Sequence, residues 1–351
     1  MHCVTSLNQK ILIILGPTAS GISDLAVFLA EKFNGEVVSA DSRQVYRGMD
    51  IGTGKITRDE MRGIPHHLLD VADPKKTYTA ATYVTDATKA IADIQKRGRL
   101  PIICGGSGFY IRALVDGVVE NDVPPNKLLR KELRGKTVPE LVAQLEKVDP
   151  IKLASMNESD RKNPRRLERA IEIGINKLKV KRQKAKVRSQ MITGDDLLCV
   201  PIETSHNSKG SCGEETQSAI DYSKQYQPLF IGLNCEPALL KEKIRNRLIM
   251  RIQNGMLEEA QLLHDQGLSW KRMEELGLEY RYQARFLKQK KTKNMTLLFS
   301  KEEMVEKLNT QIWQYAKKQM TWFRKDQRIQ WFGVKEREEI QKVVEKFVHT
   351  Q

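Results

Sequence analysis

A chain of 351 residues is long enough for a sizeable core, and for two domains or one domain with a large insertion. Its formal net charge of +15 favours a polyanionic partner such as nucleic acid, with a merely soluble basic surface as the alternative. Cys3, Cys104, Cys199, Cys212 and Cys235 are odd in number and contain no C-x-x-C pair, which argues against a disulfide framework or a zinc module; with no signal-like or membrane-length apolar run, a reducing cytoplasm is expected.

Ile11–Leu15 reads as a short buried strand, and Gly16-Pro17-Thr18-Ala19-Ser20-Gly21-Ile22-Ser23 then opens an amphipathic helix carrying Leu25, Ala26, Leu29 and Ala30. Strand, glycine loop and helix is the setting of a phosphate-binding loop. Its backbone N–H groups and the helix N-terminus cradle an anion, and the Ser23 hydroxyl can ligate the accompanying magnesium. The pattern G-x-x-x-x-G-K-[ST] requires lysine where Ile22 stands, so a structural glycine turn is the competing reading.

Glu36–Ala40 forms a second apolar strand and delivers Asp41-Ser42-Arg43-Gln44 at its carboxyl end, the edge where open parallel sheets bind ligands. There Asp41 reads equally as a general base or magnesium partner and as a helix N-cap. Asp50–Lys55 is a glycine-broken loop, and the adjacent His66 and His67 point in different directions, which does not suit a metal pair. Tyr78–Arg97 has helical spacing closed by Gly98. Leu100–Cys104 is a third core strand ending in a second glycine turn, Gly105-Gly106-Ser107-Gly108, at the same sheet edge. Strands alternating with helices give an α/β class with a mostly parallel sheet. The third strand ends in glycine, where a motor-type ATPase would place Asp, which weakens an ATPase reading.

From about Asp122 the pattern breaks at Val123-Pro124-Pro125, and helical segments rich in Lys and Arg continue through Glu172. Arg165, Arg166 and Arg169 can share one helix side, which suits phosphates, the alternative being a solvated face. Lys177–Arg188 is strongly basic, and Gly194–Gln227 is polar and aperiodic, as in a mobile loop. Pro228–Cys235 returns as a core strand, followed by an Arg-rich helix over Ala238–Gln266, a loop around Gly277–Arg281 and a last long helix over Lys301–Lys325. The aromatics Tyr315, Trp322 and Phe323, interleaved with basic residues, serve either base stacking or core packing.

GPTASG at 16–21, SADSRQVYRGMDIGTGK at 39–55, HHLLDV at 66–71, GGSGFYIRAL at 105–114, NPRRLERAIE at 163–172 and QYAKKQMTWFR at 314–324 together resemble the tRNA dimethylallyltransferases. The resemblance spans roughly Ile11 to Trp331 in order. Three departures stand out: Ile22 replaces the family's loop lysine, Ser107 stands where Thr is usual, and 194–227 is longer and more polar. The zinc-finger tail of eukaryotic relatives is not found, which makes the chain similar to the bacterial form.

The resemblance implies a P-loop NTPase-like parallel sheet flanked by helices with a mostly helical insertion. The expected divisions are a core over 9–121, a tRNA-binding insertion over 122–172, the rest of the core over 173–335 and a tail over 336–351. It further implies transfer of a dimethylallyl group from its diphosphate to N6 of adenosine 37 in tRNA. Asp41 would be the base, with Ser107 positioning it and Thr18 beside the reaction; Gly16, Pro17, Thr18, Ala19, Ser20, Gly21, Ile22 and Ser23 would hold the diphosphate, with magnesium on Ser23 and help from Lys55 and Arg166. Asp41, Ser42, Arg43 and Gln44, together with Arg165, Arg166, Leu167, Glu168 and Arg169, would face the tRNA. A monomer free of membrane contact is expected, slow for want of the loop lysine. Competing readings are an adenylate isopentenyltransferase acting on free nucleotide, a nucleotide kinase or NTPase, and a tRNA-binding homologue that has lost catalysis.

Overall fold

The computed structural model describes residues 10–117, 123, 126–192, 226–291 and 300–350. Strands β1 (Lys10–Leu15), β2 (Gly35–Ser39), β3 (His66–His67), β4 (Leu100–Gly105), β5 (Gln227–Asn234) and β6 (Ile329–Gly333) form one sheet in the order β3-β2-β4-β1-β5-β6. Every pairing is parallel. β1, β2 and β4 are buried along their whole length, which is why β1 and β4 read as near-continuous apolar runs, while β2 buries Glu36 between its apolar neighbours. β3 and β6 were not foreseen: the one is two residues long, and the other is a partly exposed edge strand without a clear period.

Chain order reverses direction across β1. The chain leaves β1 for β2 and β4 on one side, then returns to β5 and β6 on the other. Such a switch point opens a crevice at the carboxyl ends of the strands. Register aligns those ends: Leu15 lies opposite Gly105 and Gly232, and Ser39 lies opposite Cys104.

Between the first strands run helices α1 (Ile22–Lys32), α2 (Arg58–Met61), α3 (Ala80–Lys96) and α4 (Gly108–Asp116). Thr79 caps α3 by accepting from the Thr82 N–H, and Tyr83, Val84, Ala87, Ile91 and Ile94 form its buried stripe. The helical segment that follows contains α5 (Lys127–Leu133), α6 (Val138–Val148), α7 (Pro150–Ser155), α8 (Glu158–Arg161) and α9 (Pro164–Ile192). After β5 come α10 (Pro237–Gln253), α11 (Met256–Asp265), α12 (Trp270–Glu275), α13 (Leu278–Lys291), α14 (Lys301–Phe323) and, beyond β6, α15 (Arg337–His349).

Three expectations are corrected here. The single helix over Ala238–Gln266 is two, α10 and α11, because the chain turns at Gly255 with φ +92°, a conformation glycine adopts without strain. The loop around Gly277–Arg281 is only the turn at Gly277, with α13 starting at Leu278. Most of the expected tail over 336–351 is helix: α15 buries Ile340 and Val344 in one cluster with Leu12 and Ile14, and Lys10 Nζ donates to the carbonyls of Val348 (3.1 Å) and Thr350.

By compactness the chain divides into one unit of residues 1–118 with 221–351 and a second of 119–220. The boundary expected at 172 falls inside α9, which continues without a break to Ile192. Gly174 keeps that helix close to α6, since a Cβ there would lie 2.7 Å from Val148 Cγ1. The helical unit has its own core of Leu133, Leu141, Leu145, Met156, Leu167, Ala170 and Ile171. Apart from Tyr226 and Gln227, the segment 194–227 lies outside the described residues, and Gln227 opens β5.

Candidate active site

The loop that leaves β1 is built by close approaches. A Cβ on Gly16 would sit 2.8 Å from Ser20 Oγ, 3.0 Å from Ile22 Cγ2 and 3.2 Å from the Leu233 carbonyl. The Ser20 N–H donates to the Pro17 carbonyl (3.1 Å), and Ala19 and Gly21 take left-handed φ values of +67° and +96°. This turn leaves the N–H groups of Ala19, Gly21, Ile22 and Ser23 without a hydrogen-bond partner among the described residues. Successive free amides at a helix start form an anion cradle. Not every loop position contributes. Pro17 has no N–H, and the amide of Thr18 is taken by Gln319 Oε1 (3.0 Å). Ser20 is 1 % exposed, its Oγ has no hydrogen-bond partner among the described residues, and it is not among the residues lining the cleft.

Ile22 is half-buried against the core cluster of Leu25, Leu29 and Cys104. Its carbonyl accepts from Cys104 Sγ (3.5 Å), whose thiol is pushed up to about 12 by burial, with Asp41 adding to the effect. That thiol is therefore a packing group, not a nucleophile.

Asp41 follows β2. Its Oδ1 accepts from the amides of Arg43 (2.7 Å) and Gln44 (3.3 Å) in a turn that starts no helix, so the expected helix N-cap is corrected to a turn cap, while Oδ2 has no partner among the described residues. Ser107 brackets it: the Ser107 N–H donates to the Ala40 carbonyl (3.2 Å), and its Oγ accepts from the Ser42 N–H (3.0 Å). The carboxylate thus has one oxygen spent on holding the turn and one without a partner among the described residues.

A cleft of about 1020 Å³ brings these groups together. Gly16, Thr18, Ala19, Gly21–Ser23, Asp41–Gln44 and Gly105–Gly106 line it, joined by Arg247 and Arg251 of α10 and Tyr315 and Gln319 of α14. Gln319 bridges two glycine turns, accepting from Thr18 N and donating from Nε2 to the Gly106 carbonyl (2.9 Å). The Tyr315 phenol, pushed up to about 12 by burial and by Asp41, stays protonated at neutral pH. Arg247 has no ion-pair partner among the described residues, and desolvation and the neighbouring Arg251 bring it down to about 10.

Lys55 lines the cleft, yet its ammonium is already committed. It contacts Asp50 (2.6 Å) and Asp70 (2.5 Å), donates to the Tyr46 carbonyl (2.9 Å), and its side chain is 6 % exposed. With three donors on three acceptors, the expected diphosphate contact is corrected to a loop anchor. The same loop is fastened by Glu259, whose carboxylate accepts from the amides of Asp50 (2.9 Å), Ile51 (2.7 Å) and Gly52 (2.9 Å).

Comparison with known proteins decides what this cleft belongs to. The IPP transferase family profile matches residues 44–326. The chain belongs to the IPP transferase family. It is 37% identical over 94% of its length to tRNA dimethylallyltransferase 2 of Treponema denticola, covering 96% of that protein. Against tRNA dimethylallyltransferase 2 of Citrifermentans bemidjiense it is 39% identical over 91% of the chain and 87% of the relative. Among solved structures, the full-length tRNA isopentenylpyrophosphate transferase of Bacillus halodurans has a TM-score of 0.62 at 30% identity, over 97% of each chain.

In this IPP transferase the helical unit redistributes the residues expected to face tRNA. Leu167 is fully buried in that unit's core and is removed from the set. Arg166 pairs with Asp160. Arg169 pairs with Glu172 (2.5 Å) and donates to the Val123 carbonyl (2.9 Å), so it is an internal strut. Glu168 is half-buried, and its negative charge offers phosphates no attraction. Arg165 is exposed, and its guanidinium has no partner among the described residues. Arg166 belongs to the helical unit.

Among the described residues no group of three or more His, Cys, Asp or Glu is assembled as a metal cage. Asp24, the acid nearest in sequence to the loop, is paired with Arg62 (3.8 Å) and Arg337. The donor set, one exposed Ser23 hydroxyl at the cleft wall, fits a magnesium carried mainly by phosphate oxygens and water. No helix among the described residues is long and apolar enough to cross a membrane.

Sequence reasoning missed Arg247, Arg251, Gln319 and Glu259 as parts of this site. The two arginines read as the polar side of an Arg-rich helix, and nothing local marks which of its basic residues faces a cleft.

Proposed function

We propose that the chain transfers a dimethylallyl group from dimethylallyl diphosphate to N6 of adenosine 37 in tRNA. The observation that carries this reading is the sharing of one cleft by two opposite devices: the free amides at 19 and 21–23, and the free Oδ2 of Asp41. An anion and an amine that must lose a proton are thereby served side by side.

The N6 lone pair forms a bond to C1 of the allyl group while the C1–O bond breaks, its electron pair leaving with diphosphate. The proton shed by N6 passes to Asp41 Oδ2. Preorganised amides and the arginines of α10 stabilise the charge that builds on the leaving group, which is where such dipoles contribute most. Holding donor and acceptor in line supplies the rest of the acceleration. A bound magnesium, with Ser23 as its protein ligand, would supply further charge stabilisation on the diphosphate. The adenine has to leave its stack to reach the sheet edge, and the half-exposed Tyr315 ring offers it a surface.

Relatives named tRNA dimethylallyltransferase and the net charge of +15 support RNA as the acceptor. Incubation of purified protein, tRNA and dimethylallyl diphosphate, followed by mass analysis of the anticodon loop, tests the reading. One dimethylallyl group on the adenosine is the expected result. Modification of free adenylate with none on tRNA would replace the acceptor, and phosphate release from ATP without prenyl transfer would replace the reaction.

A further inference from the structure

The phosphate loop holds a branched apolar side chain where a cation would reach the distal phosphate, and Lys55 cannot stand in because Asp50 and Asp70 consume its charge. Positive charge enters the same cleft from α10. Arg247 and Arg251 lie four residues apart, one above the other on one helix face, and both line the cavity with the loop residues 16 and 18–23 except Ser20. Their neighbours Leu248 and Ile252 pack in the cluster that also contains Ala19 and Ile51, which brings this end of the helix against the phosphate loop.

Two like charges at this spacing repel, so their placement is unfavourable until an anion lies between them. The counter-charge present is weak: Arg251 Nη1 stands 3.8 Å from Glu279 Oε1, beyond hydrogen-bond reach, and burial raises the Glu279 carboxyl above its usual range despite Arg251. The seat of Arg251 is specific. Its guanidinium lies over Gly54, in the space a Cβ would fill, and Gly54 has a φ of +59° and a carbonyl held by Gln44 Nε2 (3.2 Å). The half-buried guanidinium, 15 % exposed, is thus fixed by the same loop that Lys55 and Glu259 anchor.

We propose that Arg251 supplies the diphosphate-binding charge that Ile22 does not, so that the cation of this phosphate site comes from α10 and not from the loop. A guanidinium offers two parallel donors to phosphate oxygens, where a lysine offers a point charge. The inference rests on the diphosphate-donor reading above and deepens it. It also changes the expectation of a slow enzyme, because the missing charge is restored from another element.

The test measures binding of inorganic pyrophosphate with magnesium by calorimetry, and donor kcat/KM on tRNA, for the full chain and for Arg251→Met, Ile22→Lys and the double variant. Arg251→Met should weaken pyrophosphate binding and lower kcat/KM by about tenfold or more, the loss expected for one charge-assisted contact. Ile22→Lys should recover most of the loss in the Arg251→Met background. Rescue from a different element also shows that the single variant is folded. Wild-type turnover together with an Arg251→Met variant that binds pyrophosphate equally well overturns the inference and leaves the transferase reading standing; so does a loss that Ile22→Lys fails to repair. Pyrophosphate affinity lost in Arg251→Met without any wild-type prenyl transfer supports the anion site and overturns the donor reading.

Discussion

Asp41 and Gln319 show how single side chains divide their polar atoms between structure and chemistry. Asp41 spends Oδ1 on its own turn and keeps Oδ2 free. Gln319, 7 % exposed, spends both ends of its amide, on Thr18 N and the Gly106 carbonyl. It is a positioning residue. Gln319→Leu fills similar space but leaves a buried donor and acceptor unmatched, at a cost of about 2 kcal/mol. The expected outcome is a modest fall in thermal midpoint and a larger rise in donor KM, since the loop beside the cleft loosens first. Paired melting curves and donor titrations check this; a midpoint shift with unchanged donor KM would reduce Gln319 to packing.

Among the elements, α9 carries the clearest electrostatic consequence. Glu172 has a side chain 1 % exposed and is met by Arg130 Nη2 (2.6 Å), Arg169 Nη1 (2.5 Å) and the Asn126 N–H (2.5 Å). Burial alone would raise its carboxyl, but the bonds from Arg130, Arg169 and Asn126 outweigh that and hold it below the ordinary value of 4.5. A carboxyl lowered on folding contributes stability that is present above the unfolded value and lost as pH falls through the folded one. Glu172→Gln should therefore destabilise residues 126–192 by about 3 kcal/mol at neutral pH, with the two proteins converging in acid. Hydrogen exchange of that unit across pH measures it. Arg165 on the same helix has the opposite character, exposed and unpaired. Arg165→Ala should reduce the log–log salt slope of tRNA binding by roughly 0.7 to 0.9 with no loss of stability. A gel-shift series in salt decides, and an unchanged slope would remove this position from the RNA surface.

At the scale of the whole molecule, what was legible in the sequence was what depends on near neighbours. Buried parallel strands read as apolar runs, the glycine turns marked the sheet edge, and Asp41 stood out because it ends a strand there. What could not be read depends on partners far along the chain: Lys55 looked free because its claim by Asp70 is tertiary, Gln319 reaches Thr18 across 301 positions, and Glu259 grips Ile51 across 208. Leu167 was carried by its motif although its burial belongs to the helical unit's core. The central claim is that one cleft unites an anion cradle with a base at Asp41. It is tested most directly by Asp41→Asn, comparing the mass of the anticodon stem-loop after incubation with donor and its affinity by gel shift. The account predicts a dimethylallyl group added by the wild type, none by the variant, and equal stem-loop binding by both; prenylation that survives in Asp41→Asn would contradict it.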